Sequence, residues 1–305
     1  MSTRFHFKIP SRWHHQPLSE LLVQCIPESS LQQWYLRWQQ GQIRVQGMVP
    51  EWVQLLIQGQ LLEYWIDDYQ EPDVPSDWSV LWEDEQLLAV HKPAGLAVSR
   101  TTRNPTQHLI GLVQQSGFDD AHLLHRLDKE TSGILMLAKS ANWASLWQPQ
   151  LKTLMVEKTY LAKVWGMPDW QEYHMRCDLT TRSESPIRCQ MYVCHDGEPG
   201  KFSESYFKVR QSDGVQSLIE CRLFTGRKHQ IRAHLAYLGH PIVGDKIYAH
   251  HGEYYLKRLQ NKLTDSDRQT LGSPHHCLHS YRLKINVHEE YFYILDTKCN
   301  FWPII

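Results

Sequence analysis

A nine-residue polar run, His125-Arg126-Leu127-Asp128-Lys129-Glu130-Thr131-Ser132-Gly133, is wedged between two apolar segments, Leu123-Leu124 and Ile134–Ala138. The flanks are of strand length and must be buried, whereas the run between them is too polar to be buried whole. The chain therefore has to place a polar loop at the mouth of a rigid sheet, which is where reactive groups tend to sit. Asp128 has Arg126 and Lys129 as sequence neighbours, and nearby positive charge favours an ionised carboxylate suited to act as nucleophile or general base. The plain alternative is that Asp128 to Ser132 only turn the chain, with Gly133 supplying a free dihedral.

Other short apolar segments read as strands: Ser79–Trp82, Leu87–His91, Thr159–Trp165, several between 174 and 224, and 280–287 with 291–296. Lys92-Pro93-Ala94-Gly95 reads as a turn. Residues 105–116, 140–155 and 228–238 have helical periodicity, the last ended by Gly239 with Pro241 beyond it. The class is strand-rich α+β, with helices laid on a mainly antiparallel sheet. Residues 18–65 form a smaller module. Leu18, Leu21, Leu22, Cys25 and Ile26, then Leu31, Trp34, Tyr35 and Trp38, recur at helical spacing, followed by strands at Ile43–Val45 and Leu61–Ile66. The acidic, proline-bearing stretch 67–77 is the linker, which divides the chain into 1–78 and 79–305.

With 42% apolar and 21% charged residues over 305 positions, the chain has the means to bury a core and is not intrinsically disordered. The 32 basic and 33 acidic side chains nearly cancel. Residues 201–240 nevertheless hold 7 basic against 3 acidic groups, enough for a local phosphate-binding patch. No apolar run approaches the roughly 20 residues that span a bilayer. The first residues show no secretory signal. Seven cysteines without a CxxC pair suit free thiols in a reducing cytoplasm.

Two further segments carry chemistry. In Thr225-Gly226-Arg227-Lys228-His229-Gln230-Ile231-Arg232, a glycine turn and polar side chains at a helix start make a natural anion site. Arg232 lies one turn beyond Lys228 beside Ile231 and Leu235, so its guanidinium can point inward toward a carboxylate. In Glu157–Val164, strand alternation sets Lys158, Tyr160 and Ala162 on one face. Tyr160 can stack on a planar ring or carry a proton, or can be core.

Together HRLDKETSG, the upstream HKPAGLAV and the downstream GRKHQIRAHLAYLGHPIVGDKIY resemble the RluA-type family of RNA pseudouridine synthases, over about residues 80–296. The resemblance implies an eight-stranded mixed sheet with flanking helices and a central cleft. It implies that Asp128 is the catalytic aspartate, Tyr160 the active-site tyrosine and Arg232 the basic residue that pairs with the aspartate. The expected reaction is isomerisation of uridine to pseudouridine in ribosomal or transfer RNA, with the nucleotide extruded into a pocket. Asp128 would attack C1′ or remove the C2′ proton, and both routes stay open. No hydride, redox or phosphoryl step is involved, so neither cofactor nor metal is expected. His125, Arg126, Lys129, Thr131, Lys158, Arg227, Lys228, His229 and Gln230 are the candidate RNA contacts. The expected protein is a cytoplasmic monomer with RNA as partner and no membrane association. A non-catalytic RNA-binding or chaperone role on the same fold is the rival reading.

Residues 18–65 resemble the S4-like RNA-binding module, but they are acidic where that module is basic, which suits a degenerate remnant. The cluster His275-His276-Cys277-Leu278-His279 lacks zinc-site spacing and reads as structural, with His276 and His279 on opposite faces. Asp245, in the loop GHPIVGDKIY, reads as a structural hydrogen-bonding residue.

Overall fold

The computed structural model describes residues 2–26, 29–101, 103–260 and 262–302. The chain divides into two compact units, Met1–Pro72 with Thr101–Pro105, and Asp73–Arg100 with Thr106–Ile305. The division falls at 72/73 rather than at 78/79, because Val74 and Trp78 pack against the second unit's core.

The first unit contains strand β1 (Ser2–Lys8), helices α1 (Leu18–Cys25) and α2 (Leu31–Gln39), and strands β2 (Ile43–Val45) and β3 (Leu61–Asp67). The strands form a three-stranded antiparallel sheet in the order β1-β3-β2. Strand β1 has no counterpart in the sequence reading, since its only inward apolar groups are Phe5 and the partly buried Phe7. The helices follow the spacing: Leu18, Leu21, Leu22, Ile26 and Trp34 are buried together with Tyr64 of β3. A capping box starts α2, with the Gln33 N–H donating to the Ser30 hydroxyl at 3.3 Å and the Ser30 N–H to the Gln33 side chain at 2.8 Å.

The second unit is built on one sheet. Its elements are β4 (Ser79–Glu83), β5 (Leu87–Lys92), α3 (Leu109–Gln115), β6 (His122–Leu123), β7 (Ser132–Ala138), α4 (Ala141–Trp147), α5 (Leu151–Leu154) and β8 (Met155–Trp165). They continue with β9 (Glu172–Thr180), β10 (Tyr192–Val193), β11 (Lys201–Ser212), β12 (Gln216–Leu223), α6 (Gln230–Tyr237), α7 (Glu253–Leu259), α8 (Asp265–Leu271), β13 (Leu278–Val287) and β14 (Glu290–Leu295). The order is β10-β9-β11-β12-β8-β13-β7-β5-β4, with β14 beside β13 and β6 beside β7. Eleven strands replace the eight implied by resemblance, and β6 and β10 are only two residues long. Helix α3 starts at 109 rather than 105, because the His108 ring accepts the Gly111 N–H at 3.1 Å and caps the helix there. The region 140–155 is two short helices, and Met155 already pairs with Ile285 in the sheet.

All pairs are antiparallel except β7 with β13, which share only Ser132↔His279 and Ser280↔Gly133. Beyond those residues each strand takes another partner, β6 for β7 and β14 for β13. The polar loop 125–131 enters β7 at this narrow contact. Helix α6 lies on the same core as β8 and β12, with Ile231 and Leu235 buried against a cluster that holds Tyr160, Ala162, Ile219 and Cys221. The loop and the helix N-terminus are thereby brought to one place, from segments about a hundred residues apart.

Candidate active site

Asp128 and Arg232 meet directly. The Arg232 Nη1 donates to Asp128 Oδ2 at 2.7 Å, while its Nε and Nη2 donate to the two oxygens of Asp245 at 2.7 and 2.9 Å. The guanidinium fork thus joins one partly exposed carboxylate, at 31% side-chain exposure, to one with 0%. Asp245 also accepts the Ile247 and Tyr248 N–H groups at 2.9 and 3.1 Å. Burial opposes the charge on Asp245, but Arg232 and these backbone donors hold its carboxyl well below the usual range. Burial likewise opposes the charge on Asp128, and Arg232, helped by His229 and His276, holds that carboxyl below the usual range as well. The Arg232 side chain also stacks on Tyr248, 5.1 Å from the ring centre.

The loop is pinned on its far side. Lys92 is fully buried and donates to the carbonyls of Pro93, Leu96 and Lys129 at 2.8, 2.9 and 3.0 Å. The Gly95 N–H shares the Lys129 carbonyl at 2.9 Å. That is the physical reason for the KPAGL turn: it grips the backbone one residue from Asp128. Burial brings the Lys92 ammonium down to about 7. Glu130 accepts from Lys246 at 3.0 and 3.1 Å and from the His276 N–H at 3.3 Å. The loop therefore carries two carboxylates, each with its own buried cation.

A cleft of about 230 Å³ is lined by Asp128, Lys129, Glu130, Cys189, His229, Arg232, Lys246, Ile247, Tyr255, Arg258 and His276. That lies below the roughly 300–1,000 Å³ of drug-sized ligand sites. A larger hollow of about 600 Å³ is walled by Leu179–Thr181, Met191, Pro199–Lys201 and Gly226–Lys228. Residues 226–228 wall the hollow, and the next residue, His229, lines the cleft.

The structure distributes the sequence candidates unevenly. Arg126, Lys129, Arg227 and Lys228 are exposed, Arg227 with its Nε donating to the Phe202 carbonyl at 2.8 Å. Lys158 is half-buried in β8. Tyr160 is buried and is not one of the cleft-lining side chains. Burial pushes its phenol up to about 12.

Thr131 and Gln230 are corrected as RNA contacts. Thr131 is 2% exposed and its hydroxyl is bonded to the His276 ring at 2.7 Å. Gln230 is 3% exposed; it donates to the Glu204 carbonyl and the Ser205 hydroxyl and accepts from Arg227 N–H and the Thr225 hydroxyl. Its polar atoms are spent on the 225–230 turn. His125 accepts the Met136 N–H at 3.0 Å, and burial, then Lys158, lowers its pKa to about 4, so it is a neutral strut of the loop.

Sequence reasoning did not assign Glu130, Lys246, His276, Lys92 or Tyr248 to the site. The sequence singles out Asp245 and the cluster that holds His276, both as structural. His276 faces Thr131 and Glu130, while His279 bonds Ser132 at 2.8 Å and the Asp296 carbonyl at 2.9 Å. Among the described residues no group of three or more His, Cys, Asp or Glu is arranged to hold a metal ion, and no helix is long and apolar enough to cross a membrane.

An ionised carboxylate held by a shared guanidinium thus faces a small cleft on a broad mixed sheet, and that fold is the one seen in solved pseudouridylate synthase structures. Residues 86–237 match the RNA pseudouridylate synthase family. The chain is 36% identical over 201 residues to the dual-specificity RNA pseudouridine synthase RluA of Vibrio parahaemolyticus, covering 63% of this chain and 78% of that protein. It is 28% identical over 239 residues to the mitochondrial tRNA pseudouridine(32) synthase of Saccharomyces cerevisiae, covering 78% of this chain but only 51% of that protein. The solved structure of human RNA Pseudouridylate Synthase Domain Containing 1 has the same fold, at a TM-score of 0.58 and 22% identity over 75% of this chain and 86% of that one. The chain belongs to the RluA-type family of RNA pseudouridine synthases, enzymes of the isomerase class.

Proposed function

We propose that the protein converts uridine to pseudouridine at a defined position of a structured ribosomal or transfer RNA, with Asp128 as the nucleophile or base, Arg232 as its partner and Tyr160 as the ring on which the extruded uracil stacks. The observation that carries this reading is the Asp245–Arg232–Asp128 chain of charge-assisted bonds opening on the cleft. The reaction breaks N1–C1′ and forms C5–C1′; C5 gives up its proton and N1 gains one. Such chemistry needs a carboxylate that stays charged while water is excluded, and a guanidinium already anchored by a second carboxylate supplies that without moving. The name of one relative, tRNA pseudouridine(32) synthase, supports transfer RNA as a substrate, and that of the other, dual-specificity RNA pseudouridine synthase, supports more than one RNA target. Arg126 and Lys129 at the loop, and Arg227 and Lys228 between the cleft and the larger hollow, would hold phosphates on either side of the target.

The direct test is pseudouridine mapping of total RNA from a strain lacking the gene, after incubation with the purified protein. Wild type is expected to restore at least one site and Asp128→Asn none. Restoration by Asp128→Asn, or by neither protein, defeats the proposal.

The pH profile gives a second check. Asp128 is held below the ordinary carboxylate range, so its reactive form is present above that depressed pKa and lost only as pH falls through it. Turnover is therefore expected to stay level from pH 7 to about 5 and to decline near or below about 4, the ordinary aspartate value. An acid limb centred near pH 6 in single-turnover rates contradicts the pairing.

A further inference from the structure

Resting on the isomerase reading above, one step still lacks an owner. When C5 bonds to C1′ it still carries its hydrogen, and that proton must leave to restore the C5=C6 double bond. Tyr160 is buried outside the cleft wall, and its phenol, pushed up to about 12, is a weak base at neutral pH. His276, a second imidazole on the cleft wall, has Nε2 on the Thr131 hydroxyl at 2.7 Å and Nδ1 3.7 Å from Glu130.

His229 is placed differently. It sits at the N-terminus of α6 in the left-handed region, φ 54° and ψ 19°, a backbone state that non-glycine residues adopt sparingly and that recurs at functional sites. This turns its ring into the cleft at 8% exposure, with Nε2 3.7 Å from Asp128 Oδ2 and Nδ1 3.2 Å from the Tyr248 hydroxyl. The Tyr248 ring meets the imidazole edge-on at 5.8 Å, and its oxygen is already fixed by the Met191 N–H at 2.8 Å. Asp128 acts at C1′ or C2′, and C5 ends on C1′, so the departing proton arises close to the Asp128 oxygen that His229 faces.

We propose that His229 is the base that removes the C5 proton, with Tyr248 as the residue that positions its ring. The C5–H bond breaks, its electron pair forms the C5=C6 double bond as the C6=N1 π pair withdraws onto N1, and the proton passes to Nε2. The resulting imidazolium lies beside the Asp128 carboxylate and returns the proton to N1 or to water, so atoms and charge balance. Acceptance at Nε2 requires the other tautomer proton on Nδ1, where it donates to the Tyr248 oxygen. The groups that face the ring are Asp128, Arg232, Lys228, Asp245 and Tyr248; burial, then the Arg232 cation, brings its pKa to about 4 and leaves it neutral at pH 7.

The test compares rates of pseudouridine formation on total RNA from the deletion strain, grown with uracil carrying either deuterium or hydrogen at C5. Asn tolerates positive φ, so His229→Asn keeps the backbone of the turn. Wild type is expected to treat both RNAs alike. His229→Asn should be about 100-fold slower and slower again on deuterated RNA, and Tyr248→Phe should show a smaller version of both effects. A His229→Asn rate within about threefold of wild type, or a slow variant with no isotope effect, overturns the proposal. So does an isotope effect that appears in Tyr160→Phe instead. Wild type that forms no pseudouridine at all overturns the isomerase reading, and the base with it.

Discussion

Arg232→Met is expected to abolish pseudouridine formation and to destabilise the fold by about 3–5 kcal/mol, the cost of stripping one partner from a buried ion pair. Two carboxylates lose their counter-charge at once, and Asp245 has no exposure through which to recover hydration. The sign follows from its pKa. In wild type Asp245 is depressed, so its pairing stabilises above the unfolded value near 4 and is lost as pH falls through the depressed value. In the variant the same buried carboxyl has lost its cation and is driven to take up a proton. The gap in stability between the two proteins is therefore largest at neutral pH, narrows as the variant's Asp245 takes up its proton, and closes only as pH falls through the depressed wild-type value. Urea unfolding at pH 7 and pH 4 reads this directly. A gap independent of pH would mean that Arg232 stabilises by packing alone. Arg232→Lys should keep more of the stability but still lose at least about 100-fold in turnover, because an ammonium cannot span both carboxylates in the fork that orients Asp128.

Gly133→Ala is the second large effect. Gly133 has φ +106°, and a Cβ there would lie 2.3 Å from the Ser280 carbonyl oxygen and 2.5 Å from its nitrogen. Both atoms belong to β13, at the two-residue parallel contact that closes the sheet beside the loop. Backbone cannot rotate away as a side chain would. Strain and overpacking each cost about 1–3 kcal/mol, so the expected loss is about 2–6 kcal/mol. For a unit of this size that is roughly 4–24 °C in melting temperature, at about 2–4 °C per kcal/mol. Gly226→Ala is the matched control: a Cβ there meets nothing within 4 Å, and its backbone is in an ordinary region. It should melt within about 1–2 °C of wild type. Equal melting of the two variants would mean that β7 and β13 separate freely at their contact.

The fold class was legible because it rests on local pattern. The unbroken run Leu87–Lys92 is buried at every position, as a central strand requires, and the spacing of Ile231 and Leu235 puts one side of α6 in the core. Strand β1 was missed because two phenylalanines separated by a histidine are too weak a signal without β3 beside them. Strand number failed for a related reason, since two-residue strands exist only where a neighbour completes them.

Three motifs in order were enough to name the family, and they carried Asp128 and Arg232, which the structure brings to 2.7 Å of each other. The partners of those residues were out of reach. Asp245 is 13 positions from Arg232, beyond any helical or strand spacing, and Lys92 reaches Lys129 across 37. Thr131 and Gln230 looked like binding groups in a polar string, yet both are consumed inside their own turns. A sequence records which groups are polar and how they recur along the chain, and that suffices for elements and motifs. Which polar groups satisfy one another, and which are left facing a cleft, depends on distances between segments a hundred residues apart, and those distances exist only once the sheet has closed.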